Sequence, residues 1–192
     1  MSIRRAAAIA ATIILTCSTT GLNAEETPDW ESFLPASKLE FTVHYEGQQL
    51  TGRFEHFGVE MSFDPERPRE GSLKVRVRVT SADMSDREVN AELQEPEWFD
   101  GARFEQAVFS SDKIRATGDG TYLATGSLAL KGTTSSVAVP FEWRHTPAGA
   151  ELQGGLTLSR SRWEIGSGEW ASMDVLADEV QIRFSVTLQR LD

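Results

Sequence analysis

Residues Leu73-Lys74-Val75-Arg76-Val77-Arg78-Val79 alternate strictly between apolar and charged side chains. Near the C-terminus, Val180-Gln181-Ile182-Arg183-Phe184-Ser185-Val186-Thr187-Leu188 follows the same rule with polar partners. A period of two belongs to a β-strand with one dry face and one wet face. The wet face is largely charged, so a sheet of such strands has water outside and oil inside. A protein of this kind either packs its oily interior solid or uses it to hold something oily.

Alternation predicts eight strands in all. They run over Leu39–Tyr45, Leu50–Phe63, Leu73–Val79, Gln106–Ile114, Tyr122–Leu130, Val137–Arg144, Ala150–Ser159 and Val180–Leu188. Gly52 and Gly58 interrupt the second and mark candidate bends. Pro140 falls inside the sixth, which predicts an edge or irregular pairing there. Thr117-Gly118-Asp119-Gly120 and Gly132-Thr133-Thr134 read as hairpin turns. Between the third and fourth strands, Asp86 and Arg87 lead into Val89, Ala91 and Leu93, the spacing of a short helix that Glu95-Pro96 ends. Residues 160–177 read as a long loop containing Gly and Trp. The hairpin turns predict antiparallel pairing, and eight strands suit an all-β, lipocalin-like barrel with one short helix.

The outward row decides between a barrel in water and one in a membrane. Lys74, Arg76, Arg78, Glu142, Arg144, Gln181 and Arg183 alternate with the apolar face. A lysine or arginine on a lipid face costs about 2–4 kcal/mol near the bilayer midplane. A soluble barrel with its apolar face inward is the expectation, with no stable membrane span.

The first 24 residues have the form of a secretory signal peptide. Arg4 and Arg5 precede the apolar run Ala6–Leu15, and Leu22-Asn23-Ala24 offers a small-residue cleavage site. The run is too short to span a bilayer. Cys17 would permit lipid anchoring, but Thr16 stands where Gly, Ala or Ser usually precedes a lipidated cysteine. The expected organisation is a signal peptide over 1–24, a leader over 25–36 and one barrel domain over 37–192, released into the periplasm. Cleavage takes 24 of the 192 residues and leaves 168, enough for one domain with a core. It also removes two of the 19 basic residues, so 17 face 29 acidic ones and the net charge becomes −12. Such a domain repels phosphate backbones, so nucleic acid is not an expected partner. Cys17 is the only cysteine, which excludes disulfides and thiolate metal sites from the mature domain.

Catalytic motifs are weak. His44, His56 and His145 have no metal-ligand spacing. Gly166-Ser167-Gly168-Glu169-Trp170-Ala171 matches a dinucleotide fingerprint as a string but lacks the strand before it and the helix after it. No Gly-x-Ser-x-Gly elbow is present. No cofactor, metal or catalytic residue is called for. Trp98, Phe99, Phe104, Trp143, Trp163 and Trp170 read most simply as core and barrel-end filling. Those in irregular segments are also candidates for the rim of a pocket.

Several stretches, in order, carry a resemblance. They are Leu39–His44; Gly52-Arg53-Phe54 with Phe57; Phe63-Asp64-Pro65; Thr80-Ser81; and the helix with Asp86-Arg87. The two most distinctive follow: Trp98-Phe99-Asp100 with Phe104 and Ala107-Val108-Phe109-Ser110, and Gly126–Thr134 leading to Val137 and Pro140-Phe141. From about Ser37 to Leu191 the chain resembles the YceI-like family of periplasmic lipid- or polyisoprenoid-binding proteins. It departs at His44-Tyr45, where the family has Lys-His, and at Gln106, where the family has Pro. The resemblance implies an eight-stranded barrel holding a long isoprenoid, isoprenoid quinone or similar lipid, without catalysis. The expected ligand-facing residues on the strands are Leu39, Phe41, Val43, Phe54, Val75, Val77, Val139, Phe141, Ile182, Phe184 and Val186. Phe57, Trp98, Phe99, Trp163 and Trp170 are expected at the rim or as plugs. The competing readings are a solid-cored stress-response or partner-binding barrel, and an enzyme on a lipid head group using carboxylates or Arg160 and Arg162 at the mouth. The oligomeric state is open between monomer and homodimer.

Overall fold

A computed structural model describes residues 27–191. The signal-peptide reading and Cys17 lie outside those residues. Twelve strands form one sheet: β1 (Asp29–Ser32), β2 (Lys38–Tyr45), β3 (Gln48–Phe54), β4 (Phe57–Ser62), β5 (Ser72–Arg78), β6 (Ala82–Asp83), β7 (Gln106–Ser111), β8 (Ile114–Gly118), β9 (Thr121–Leu130), β10 (Thr133–Thr146), β11 (Gly149–Ser159) and β12 (Glu179–Arg190). One α-helix, α1 (Arg87–Glu92), follows β6.

The twelve are eight strands, four of them broken once. β1 and β2 lie end to end along β12, through Trp30 opposite Arg190 and Phe41 opposite Ile182. β3 and β4 continue the next row, paired to β2 and β1. β5 and β6 pair with β4 and β3, and β7 and β8 both pair with β9. β9, β10, β11 and β12 follow as unbroken antiparallel neighbours. Because β12 also pairs with β1 and β2, the meander closes into an eight-stranded barrel, which leaves no edge along the closed wall.

Each break has a local cause. Between β1 and β2 the chain makes a 3₁₀ turn at Leu34–Ala36 that contains Pro35. The break in the second row falls at Glu55-His56, not at Gly52 or Gly58. Gly52 has a different role: a Cβ there would lie 2.5 Å from the Phe41 ring. Ser81 joins the breaks of two rows, its hydroxyl accepting from His56 N–H at 3.0 Å and donating to the Arg78 carbonyl at 2.7 Å. Ser111 bridges the β7–β8 break by donating to the Thr125 carbonyl at 2.9 Å. Pro140, which lacks an N–H, stands where the β10–β11 ladder stops; pairing begins at Phe141. The irregular pairing expected of that proline is therefore localised to one side of β10.

The segment expected as leader contains β1. Trp30 is buried there, and its indole N–H donates to the Phe63 carbonyl at 3.0 Å. A strand of four residues shows too few alternations to stand out, so its polar sequence conceals it. Outside the barrel, Arg76 pairs with Glu60, Arg144 with Glu142 at 3.2 Å, and Arg53 with Asp83 at 3.0 Å. An outward row of this kind is the inverse of a membrane barrel, whose lipid face is apolar. No helix among the described residues is long and apolar enough to cross a membrane.

The two ends of the barrel differ. One end gathers the β4–β5, β8–β9 and β10–β11 connections together with β1. There Phe63 stands 5.0 Å from Tyr122 and 4.9 Å from Trp143, ring to ring, and Trp30 stands 5.1 Å from Trp143. Tyr122 stacks on Phe141 at 5.4 Å. This end is solid. The other end gathers the β2–β3 and β9–β10 hairpins, α1 and the loop from Arg160 to Asp178.

Candidate functional site

The second end is hollow. A cavity of about 650 Å³ runs into the barrel, walled almost wholly by apolar side chains. It lies within the roughly 300–1,000 Å³ usual for small-molecule sites. Its deep wall includes Leu73, Leu152 and Val186, and its outer wall includes Leu50 and Val89, both exposed. The inward rows of the alternating strands supply the sides: Leu39, Phe41 and Val43 from β2, Val75 and Val77 from β5, and Val180, Ile182, Phe184 and Val186 from β12. Phe54 and Phe57 line it from the two sides of the β3–β4 break, and Val139 lines it from β10.

The irregular segments supply the rim. Asp86 caps α1 by accepting from the Glu88 and Val89 N–H groups at 2.8 and 3.2 Å. After α1 the chain folds back, with Phe99 N–H donating to the Leu93 carbonyl at 3.1 Å and Asp100 taking a left-handed φ of 49°. This turn seats Trp98 and Phe99 on the cavity wall. Trp98 meets Trp170 at 5.5 Å, and Phe99 meets Phe54 at 6.0 Å. Trp163, which is 1% exposed, completes the wall from the 160–178 loop.

Arg160 holds that loop in shape. It is 5% exposed, and all five of its N–H donors meet backbone carbonyls. Nε donates to Ala177, Nη1 to Ile165 and Gly166, and Nη2 to Trp170 and Leu176, at 2.6 to 3.1 Å. Burial lowers its pKa, and the nearby Asp178 opposes that. Burial would raise the Asp178 pKa, but hydrogen bonds from Ser159 and Ser161 and the charge of Arg160 bring it below the usual carboxylate value. Arg162 points elsewhere: its guanidinium lies 5.7 Å from the Trp163 ring and donates to the Ser136 carbonyl at 3.5 Å. The two arginines therefore do not converge on the mouth as a head-group enzyme would need.

Fifteen of the sixteen residues expected to face a ligand meet on this one cavity. Phe141 does not. It is buried in the solid end, against Phe63 and Tyr122. Alternation assigned it to the inner face correctly, but alternation carries no information about depth along the barrel. Of the other aromatic candidates, Trp143 also lies in the solid end, and Phe104 packs under Arg103 at 5.0 Å. The lining also contains residues not singled out from the sequence. Leu128, Leu130, Leu156 and Leu158 obey the same period-two rule and were legible by it. Glu88, Val89 and Glu92 of α1, with Leu93 at its C-cap, share one face at a spacing of four, a helical signal that names a face but not what it covers.

A closed antiparallel barrel, solid at one end and hollow and apolar at the other, has the architecture of barrels that enclose a cavity. A family model described as the YceI-like domain matches residues 30–188, and the chain belongs to that family. The solved structure of BcnA from Burkholderia cenocepacia is 32% identical, with a TM-score of 0.79 over 82% of this chain and 98% of that one. A polyisoprenoid binding domain from Saccharophagus degradans has the same fold, with a TM-score of 0.68 over 87% of this chain and 100% of that one, at 13% identity. Among sequence relatives, a UPF0312 protein of Vibrio campbellii is 26% identical over 155 residues, 76% of this chain and 82% of its own length.

Proposed function

We propose that this protein is an exported, soluble binding protein that holds a long apolar lipid inside its barrel, for transport, storage or sequestration. The apolar cavity of about 650 Å³ is the observation that carries this reading. Each methylene moved from water into the cavity contributes about 0.8 kcal/mol, so a plain apolar wall is sufficient for the tail. The likeness to a polyisoprenoid binding domain supports an isoprenoid or quinone-like ligand. The N-terminal segment read from the sequence supports release into the periplasm. The sixteen residues named from the sequence, with Phe141 set aside, are the proposed contact surface.

Tryptophan emission tests the reading. Trp98, Trp163 and Trp170 line the cavity, while Trp30 and Trp143 lie in the solid end. Titration with an isoprenoid quinone is expected to quench part of the emission saturably. The triple variant W98F/W163F/W170F, still folded by circular dichroism, should lose that response. Absence of saturable quenching in the unsubstituted protein would reject the proposal.

A further inference from the structure

The charged groups at the cavity bear on which lipid head it tolerates. Glu88, Glu92 and Arg160 are the charged residues on the lining. Glu88 and Glu92 are exposed and stand one helical turn apart at the rim. Neither is in an ion pair among the described residues, and the Glu92 carboxylate accepts the Trp98 indole N–H at 3.3 Å. Arg160 is a poor partner for an anion. Arginine recognises phosphate and carboxylate by offering paired N–H donors, and all five of its donors already meet carbonyls. Asp178 lies near enough to offset part of its charge.

The other cations at this end are engaged or placed off the wall. Lys131 donates to the Glu164 carbonyl at 2.7 Å, Arg103 pairs with Asp100 at 3.0 Å, and Arg53 pairs with Asp83 and Glu55. Arg162 reaches Ser136, and Arg87 is exposed at the start of α1 without lining the cavity. Exposed carboxylates surround the opening on the same segments: Glu46, Glu95, Glu97, Glu169 and Asp174. Trp163 and Trp170, whose rings line the cavity, have buried indole N–H groups without a hydrogen-bond partner among the described residues, and the Tyr45 hydroxyl on the lining is neutral.

We propose that the mouth selects its lipid by charge: apolar chains with an uncharged or cationic head are held, and phosphorylated or carboxylated chains are rejected, with Glu88 and Glu92 as the specificity-determining residues. This rests on the reading that the cavity holds a lipid. The test displaces Nile red from the mature chain with three chains of equal length: geranylgeraniol, geranylgeranylamine and geranylgeranyl diphosphate. The alcohol and the amine should displace the dye, with the diphosphate at least tenfold weaker. That gap should narrow several-fold in E88Q/E92Q and, because exposed charges are screened, in about 1 M salt. A diphosphate that competes as well as the alcohol would overturn charge selection while leaving lipid binding intact. A gap that neither E88Q/E92Q nor salt narrows would overturn the assignment to these carboxylates. If no chain displaces the dye, the lipid-binding reading falls and this inference with it.

Discussion

The solid and hollow ends of the barrel are built by the same strands under the same alternation, and they differ in how the inward rings are arranged: Phe63, Tyr122, Phe141 and Trp143 pack ring on ring at the solid end, while the rings of the hollow end stand around a cavity. β10 shows the change within one strand. Val137 and Val139 face the cavity, and two and four residues further on Phe141 and Trp143 fill the closed end. β4 also runs toward an aromatic ring, from Phe57 and Val59 on the cavity to Phe63 just beyond its end, which is 0% exposed. Alternation decides what faces inward. Whether the inward rings pack against one another across the barrel decides whether the inward space is filled.

Substitutions that ask the same question at both ends should separate them. The largest effect is expected at the solid end, where Trp143→Ala removes a ring packed against Phe63 and Trp30. It should cost about 3–5 kcal/mol in urea unfolding. By contrast, Val75→Ala on the cavity wall removes a side chain that faces open space, and should cost under about 1 kcal/mol. Equal losses would mean that the cavity collapses in solution.

Enlarging a residue sharpens the contrast. Ala124 is 0% exposed in the solid core, so Ala124→Leu should destabilise by about 1–3 kcal/mol through overpacking. Val139→Phe places extra volume into the cavity. It should leave the unfolding midpoint nearly unchanged and weaken quinone or prenol binding at least tenfold. A destabilised Val139→Phe would show that the hollow end has no spare room.

The smallest effect is expected from acid, and it belongs to the hollow end. Asp178 has a folded pKa below its ordinary 3.8. A depressed carboxylate contributes stability above its unfolded pKa and loses it as pH falls through the folded one. Emission from Trp163 and Trp170 on the 160–178 loop should therefore hold steady from pH 7 to about pH 4 and change below it. Asp178→Asn should flatten that change. Emission changing between pH 7 and pH 5 would contradict the role given to Asp178.

The same contrast explains how much was legible in the sequence. The closed barrel followed from eight alternating runs, and fifteen of the named residues share one cavity because those runs identify the inner face. Phe141 was misplaced because depth is set by register across neighbouring strands, here Phe141 opposite Tyr122 and Gly154, and a single strand does not record it. β1 was missed because four residues cannot display a period. The five carbonyl contacts of Arg160 were invisible because backbone acceptors leave no trace in residue types.

The central claim is that the hollow end holds a long apolar lipid. The most direct measurement is native mass spectrometry of the protein recovered from its own cells, beside Val139→Phe prepared in the same way. The account predicts that the unsubstituted protein carries a lipid mass recoverable by organic extraction, and that the variant carries much less. An unsubstituted protein at its bare mass, with no lipid in the extract and none taken up from added prenols or quinones, would contradict it.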